Sequence, residues 1–319
     1  MNILVPGSIY AELIAPAQEY APEVQLLAYK EDEDAPIEGQ DQAVGILRWI
    51  AGKGYTRLIT DCPRIRWLHT ASAGVDHVLT PEVKAKTALT VTDSGPAFEI
   101  AISEFVLAWM LLITRRLPEL MANQRECRWS SVQQKELHSQ TVGIIGLGPI
   151  GRGIAARCKA FGMRTLGLRR SPIAVESVDE VLIGETGLHR LLAESDFVVL
   201  AAALTGETRT LLGAKELAAL KPSAWLINIA RGGLIDESAL IDALQSGQLG
   251  GACLDVFAEE PLPEDSPLWG MPNVYVAPHN SSGWTMGLHE RQKTLFLENL
   301  RRFSRGESLE SVVDIARGY

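Results

Sequence analysis

Arg231 in NIARGGLIDE, Glu260 in AEEPLPEDSP and His279 in APHNSSG each come shortly after an apolar run: AWLINI (224–229), GACLDV (251–256) and NVYVA (273–277). Such runs read as strands of a parallel sheet, and ligands of such sheets bind outside the carboxyl ends of the strands. A cation, a carboxylate and an imidazole at one sheet edge suit hydride transfer to a 2-keto acid. The cation would orient the substrate carboxylate and polarise the ketone. The imidazole would deliver a proton to the developing alkoxide. The carboxylate would hold that imidazole and favour its charged form. Taken singly, each residue has a plainer reading: Arg231 a surface ion pair, Glu260 part of a solvated acidic loop, His279 one structural histidine among six.

Upstream, TVGIIGLGPIGRGIAARCKAFG holds Gly146-x-Gly148-x-x-Gly151 between an apolar strand and an Ala-rich helical pattern. The glycines permit a tight turn, and they let backbone N–H groups approach a pyrophosphate at the helix N-terminus. The loop Gly146, Gly148, Pro149, Ile150 and Gly151 is therefore the candidate dinucleotide site. The next strand, RTLGL, should end beside the adenine ribose. Arg169 lies 23 positions after Gly146, close to the roughly 20 expected for the ribose-binding residue. An acid there would accept from the ribose 2′-OH. The chain instead has Arg169, Arg170 and Ser171, two guanidinium groups and a hydroxyl suited to a 2′-phosphate. NADP(H) is the expected cofactor, with NAD(H) use left open; the plainer reading is that one or both arginines are solvated or pair with carboxylates elsewhere.

Apolar runs alternate with helical patterns along most of the 319 residues, which predicts an α/β protein with parallel sheets, and the length predicts two domains. Early strand candidates are 2–5, 24–29, 43–47, 57–60, 66–70 and 89–92. A second series follows at 141–145, 164–168, 196–201, 224–229, 251–256 and 273–277. Helices are expected at 99–115, which is apolar on nearly every side, at 215–220, at 236–244 and at about 286–304. EDED (31–34) reads as a solvated loop. A net charge of −9 argues against non-specific nucleic-acid binding. The longest apolar run, 105–113, is too short to span a bilayer, and the N-terminus lacks the pattern of a signal peptide. The four cysteines are far apart, which predicts neither a metal site nor a disulfide framework but free thiols in the cytoplasm.

The motifs WLHTASAGVDHV (67–78), TRRLPEL (114–120), VGIIGLGPIG (142–151), NIARGGLIDESAL (228–240), LDVFAEEPLPEDSPLW (254–269) and APH (277–279) occur in one order along the chain. In these the sequence resembles the D-isomer-specific 2-hydroxyacid dehydrogenases over nearly its whole length. The resemblance implies a Rossmann-type cofactor domain, 99–284, inserted into a flavodoxin-like substrate domain made of 1–98 and 285–319, with the active site between them. It implies that Arg231, Glu260 and His279 form the catalytic triad, with His279 the acid in reduction and Glu260 its tuning partner. The substrate loop would be Ser72 to Asp76, with the amides of Ala73, Gly74 and Val75 holding the substrate carboxylate. Asp255 would face the nicotinamide carboxamide, and Ala202, Thr208 and Ala230 would line the cofactor cleft. Trp49 could wall the substrate pocket or belong to the core.

Within the family, Glu260 stands where formate dehydrogenases have glutamine, many phosphoglycerate dehydrogenases carry an added regulatory domain, and Arg169 matches NADPH-preferring glyoxylate and hydroxypyruvate reductases. The expected activity is NADPH-dependent reduction of a small 2-keto acid by a homodimer that binds neither nucleic acid nor membrane. A reductase for a larger 2-keto acid, or an NAD(P)(H)-sensing protein-binding module of the corepressor type, is the alternative; turnover of a 2-keto acid separates the last from an enzyme.

Overall fold

The computed structural model describes residues 1–31, 33, 36–49 and 54–319. Two of the four EDED residues, Asp32 and Asp34, lie outside the described residues. Two compact units divide the chain: Met1–Phe98 with Trp284–Tyr319, and Glu99–Gly283. The second unit interrupts the first in sequence.

The first unit opens with β1 (Asn2–Pro6), α1 (Gly7–Tyr20), β2 (Gln25–Tyr29), β3 (Ala43–Arg48) and α2 (Gly54–Asp61). It continues through β4 (Trp67–Thr70), α3 (Pro81–Ala85), β5 (Thr90–Thr92) and the start of α4 (Gly95–Thr114). Its five strands are parallel in the order β2-β1-β3-β4-β5, a flavodoxin-like doubly wound sheet. The run RLIT (57–60), expected as a strand, lies in α2 instead. Tyr55, Leu58 and Ile59 are its buried residues; they share one helical face at i, i+3 and i+4, a spacing that a four-residue apolar run cannot reveal by itself.

The second unit contains α5 (Leu117–Arg125), β6 (Thr141–Ile145), α6 (Pro149–Ala160), β7 (Arg164–Leu168), β8 (Glu180–Leu182) and α7 (Gly184–Glu194). After these come β9 (Phe197–Leu200), α8 (Ala214–Ala218), β10 (Trp225–Asn228), α9 (Glu237–Gln245), β11 (Gly251–Leu254) and β12 (Val274–Val276). The seven strands are parallel in the order β12-β11-β10-β9-β6-β7-β8, the order of a Rossmann-type sheet, with its reversal at the first strand β6. Strands such as FVVL in β9 are buried at every residue because helices cover both faces, so they read as continuous apolar runs. Leu166, Val198, Leu200, Leu226 and Ala252 are fully buried in one cluster. The edge strand β8 is three residues long, with only Leu182 buried, too short for a sequence pattern to mark.

The final helix, α10 (Met286–Arg305), belongs to the first unit. Thr285 caps its start by accepting from the Leu288 N–H at 3.1 Å, and left-handed Gly306 ends it. Helix α4 is longer than expected, 20 residues from Gly95, and is by length and composition sufficient to cross a membrane. Its Val106 and Met110 are fully buried and its Glu99 pairs with Arg157 of α6 at 2.6 Å, but only 39% of its apolar window is buried, so the helix packs on one side and is not covered all round.

His69 on β4 has no solvent exposure. Its Nδ1 lies 2.8 Å from Thr92 Oγ1 and its Nε2 3.1 Å from Ser94 Oγ. Burial pushes its pKa down to about 3, so the folded ring is neutral at pH values where the unfolded ring takes up a proton. This stability is complete above pH 6.5, the ordinary value, and is lost as pH falls towards the folded value. The difference in unfolding free energy between wild type and His69→Gln should therefore change by about 1.4 kcal/mol per pH unit across that window. Urea titrations at several pH values measure it; a pH-independent difference would contradict the assignment.

Candidate active site

Strands β10, β11 and β12 are neighbours, and each candidate catalytic residue follows one of them. His279 comes three residues after β12 and adopts a left-handed conformation, φ 51°. Its N–H donates to the Asp255 carbonyl at 2.8 Å. The turn is braced from β11: Asp255 is fully buried, and its carboxylate accepts the N–H groups of Asn280 at 2.6 Å and Ser281 at 2.9 Å. These bonds satisfy a desolvated charge and fix where His279 leaves the sheet.

The imidazole Nδ1–H donates to Glu260 Oε2 at 2.8 Å. Glu260 is itself oriented, because its Oε1 accepts the Phe257 N–H at 3.0 Å. A carboxylate on Nδ1 selects the tautomer and leaves Nε2 for chemistry. The imidazole is half exposed, with 52% of its side chain accessible, as a group that must meet a substrate requires.

Arg231 follows β10 in extended conformation, and its Nη1 donates to the Ala230 carbonyl at 2.7 Å. The fully buried Asn228 brackets it: Asn228 Nδ2 donates to the Arg231 carbonyl at 2.9 Å, and Asn228 Oδ1 accepts from the Ala230 N–H at 3.1 Å. Sequence reasoning missed Asn228. Its signal was a lone amide inside an otherwise apolar strand end, a group that must find partners when buried.

The glycine loop joins β6 to α6. Gly146 has φ +99°, and a Cβ there would lie 2.6 Å from the Ala201 carbonyl oxygen. A Cβ on Gly151 would lie 2.0 Å from the Gly146 oxygen, so the helix start packs directly on the turn. Gly148 has nothing within 4 Å of its Cβ position and caps α6, followed by Pro149 and Ile150 in its first turn. A tight turn, an open glycine and a helix N-terminus with no acid in its first turn fit a pyrophosphate.

After β7, the Arg169 Nη1 donates to the Ile173 carbonyl at 3.3 Å, and Arg170 pairs with Glu207 at 2.6 Å. Ser171 follows, half-buried. Ala202 immediately follows Ala201, at the turn that Gly146 abuts. Thr208 Oγ1 donates to the Ala203 carbonyl at 2.6 Å and accepts the Thr205 N–H at 2.8 Å, bracing the loop after β9.

In the first unit, the candidate substrate loop follows β4. Thr70 Oγ1 lies 2.9 Å from Ser72 Oγ, which donates to the Gly74 carbonyl at 2.9 Å. Ala73 and Gly74 are half-buried and Val75 is buried. Trp49 is buried in the core and packs edge-on against His289, ring centroids 5.4 Å apart.

Residues 107–281 match the family model of the D-isomer specific 2-hydroxyacid dehydrogenase NAD binding domain. The chain belongs to this family, whose members are NAD(P)-dependent oxidoreductases. It is 32% identical to the D-3-phosphoglycerate dehydrogenase of Methanocaldococcus jannaschii over 99% of this chain and 60% of that one, so it spans about three-fifths of that relative's length. It is 37% identical to the glyoxylate reductase of Thermococcus gammatolerans over 80% of this chain and 78% of that one. Among solved structures, the NADPH-dependent glyoxylate/hydroxypyruvate reductase of Sinorhizobium meliloti, in complex with NADP and sulfate, superposes with a TM-score of 0.82 at 30% identity, covering 100% of this chain and 99% of that one.

Replacing Asn228 with Ala leaves the Ala230 N–H and Arg231 carbonyl without their partner and should destabilise the protein by about 1–3 kcal/mol. Urea unfolding followed by tryptophan fluorescence checks it; unchanged stability would mean that the bracket contributes nothing.

Proposed function

We propose that this chain reduces a small 2-keto acid, of the glyoxylate or hydroxypyruvate class, to the D-2-hydroxy acid with NADPH. The observation that carries the proposal is the 2.8 Å His279–Glu260 pair, held at the carboxyl edge of a sheet that also presents the glycine loop and Arg231. The glyoxylate reductase and the glyoxylate/hydroxypyruvate reductase among the similar proteins support the substrate class.

In this reading Gly146, Gly148, Pro149, Ile150 and Gly151 hold the cofactor pyrophosphate, and Arg169, Arg170 and Ser171 hold the 2′-phosphate, with NAD(H) accommodated less well. Ala202, Thr208 and Ala230 border the nicotinamide half; Asp255, expected to face its carboxamide, is instead fully buried with both carboxylate oxygens on the N–H groups of Asn280 and Ser281, and braces the turn after β12. The bound nicotinamide supplies the hydride. Arg231 orients the substrate carboxylate, and its guanidinium polarises the ketone; the amides of Ala73, Gly74 and Val75 are the first unit's own candidate carboxylate-binding loop. As negative charge develops on the ketone oxygen, His279 Nε2 delivers its proton, and Glu260 stabilises the imidazolium beforehand. In oxidation the same nitrogen takes the proton back.

The enzyme is proposed to be a cytoplasmic homodimer assembled through the cofactor unit. The free thiols Cys62, Cys158 and Cys253 are buried and suit a reducing compartment. Phe105, Leu111 and Leu112 of α4 are partly exposed, and Leu117 and Met121 of α5 are 40% and 52% exposed, an apolar face suited to a second copy.

His279→Ala should lower kcat at least a hundredfold, the scale of general acid catalysis, while NADPH titration by fluorescence gives an unchanged Kd; near-normal turnover would remove the proton-donor role. Arg169→Ala combined with Arg170→Ala should weaken NADPH about tenfold or more and NADH little, since charge-assisted hydrogen bonds contribute about 1.5–3 kcal/mol each. Equal weakening of both cofactors would reject the phosphate site.

A further inference from the structure

The arginine pair has a carboxylate already in place. Strand β6 lies between β7 and β9 in the sheet. Arg170 stands in the loop after β7, and Glu207 in the loop after β9. Arg170 Nη2 lies 2.6 Å from Glu207 Oε2, so the ion pair runs from one flanking loop to the other past the carboxyl end of β6, where the glycine turn sits. The Glu207 loop is braced from within. Besides the Thr208 bonds, Arg209 N–H donates to the Thr205 carbonyl at 3.0 Å and Thr210 N–H to the Gly233 carbonyl at 2.8 Å. The carboxylate thus projects from a fixed turn, 77% exposed.

We infer that Glu207 is a cofactor-specificity residue that opposes the 2′-phosphate of NADP(H). The inference rests on the reading of Arg169 and Arg170 as the phosphate side of the cofactor. A 2′-phosphate brings about two negative charges to a guanidinium that Glu207 already neutralises, so Glu207 must be displaced or tolerated as a like charge. A ribose 2′-hydroxyl brings no charge and can donate to a carboxylate. Glu207 therefore restores, from a different loop, part of the acceptor that the end of β7 lacks. It narrows the gap between the two cofactors instead of setting the preference. Because both partners are solvent-accessible, the effect is small: an exposed pair of charges changes affinity by up to about fivefold.

The test is the Kd of NADPH and of NADH, titrated by protein fluorescence on the full chain, for wild type, Glu207→Gln, and the Arg169→Ala/Arg170→Ala double variant. Glu207→Gln keeps the shape and removes the charge, and its exposure makes misfolding no obstacle. It should tighten NADPH about two- to fivefold, leave NADH unchanged or slightly weakened, and lose its advantage as salt is raised. A weaker NADPH complex, an unchanged one, or equal tightening of both cofactors would overturn the inference. If the double variant loses NADPH selectively while Glu207→Gln changes nothing, the phosphate site stands and only the role of Glu207 falls. If the double variant shows no selective loss, both fall together.

Discussion

Asp255 has no contact with solvent, yet it carries a carboxylate. The cost of burying that group is offset by two backbone N–H donors from the turn after β12. The same turn sends the His279 N–H back to the Asp255 carbonyl. Two neighbouring strand ends are thereby clamped together, and the histidine is held in the left-handed conformation that aims its ring at Glu260. Remove the clamp and the Nδ1–carboxylate contact has no reason to persist, because the ring is half exposed and Glu260 comes from a loop. The geometry of the His279–Glu260 pair is thus set by a buried aspartate.

The glycine turn imposes a comparable constraint on the other side of the sheet. Gly146 must approach the Ala201 carbonyl, and Gly151 must approach Gly146. Neither place has room for a side chain. Both close approaches bring the α6 N-terminus next to the end of β6, at the reversal of strand order where a dinucleotide crosses the sheet. The charges that surround this point are unequal. The helix end and two arginines favour an anion, and one glutamate on a braced loop opposes it.

Much of this was legible in the sequence because parallel buried strands leave unbroken apolar runs. The runs 141–145 and 164–168 coincide with β6 and β7, and Arg231, Glu260 and His279 follow the runs that form β10, β11 and β12. The family is legible too, since its motifs span most of the chain. Other features were not. RLIT reads as a strand but lies in α2, because a short apolar run has no period. Strand β8 escaped because an edge strand of three residues needs few apolar side chains. The α4 helix begins at Gly95, ahead of the expected 99, because a proline at 96 is tolerated in the first turn of a helix. Asn228 and Glu207 act through partners set by the folding of loops, Glu207 across 37 residues, and no local pattern encodes such a pairing.

Steady-state rates with glyoxylate, hydroxypyruvate, pyruvate and phenylpyruvate, each measured with NADPH and with NADH, test most directly whether the paired strand ends and the arginines together make a 2-keto acid reductase. Turnover of glyoxylate or hydroxypyruvate, faster with NADPH than with NADH at equal concentration, is the expected result. A clear NADH preference would contradict the assignment of Arg169 and Arg170, and no turnover of any of the four acids with either cofactor would contradict the proposed activity.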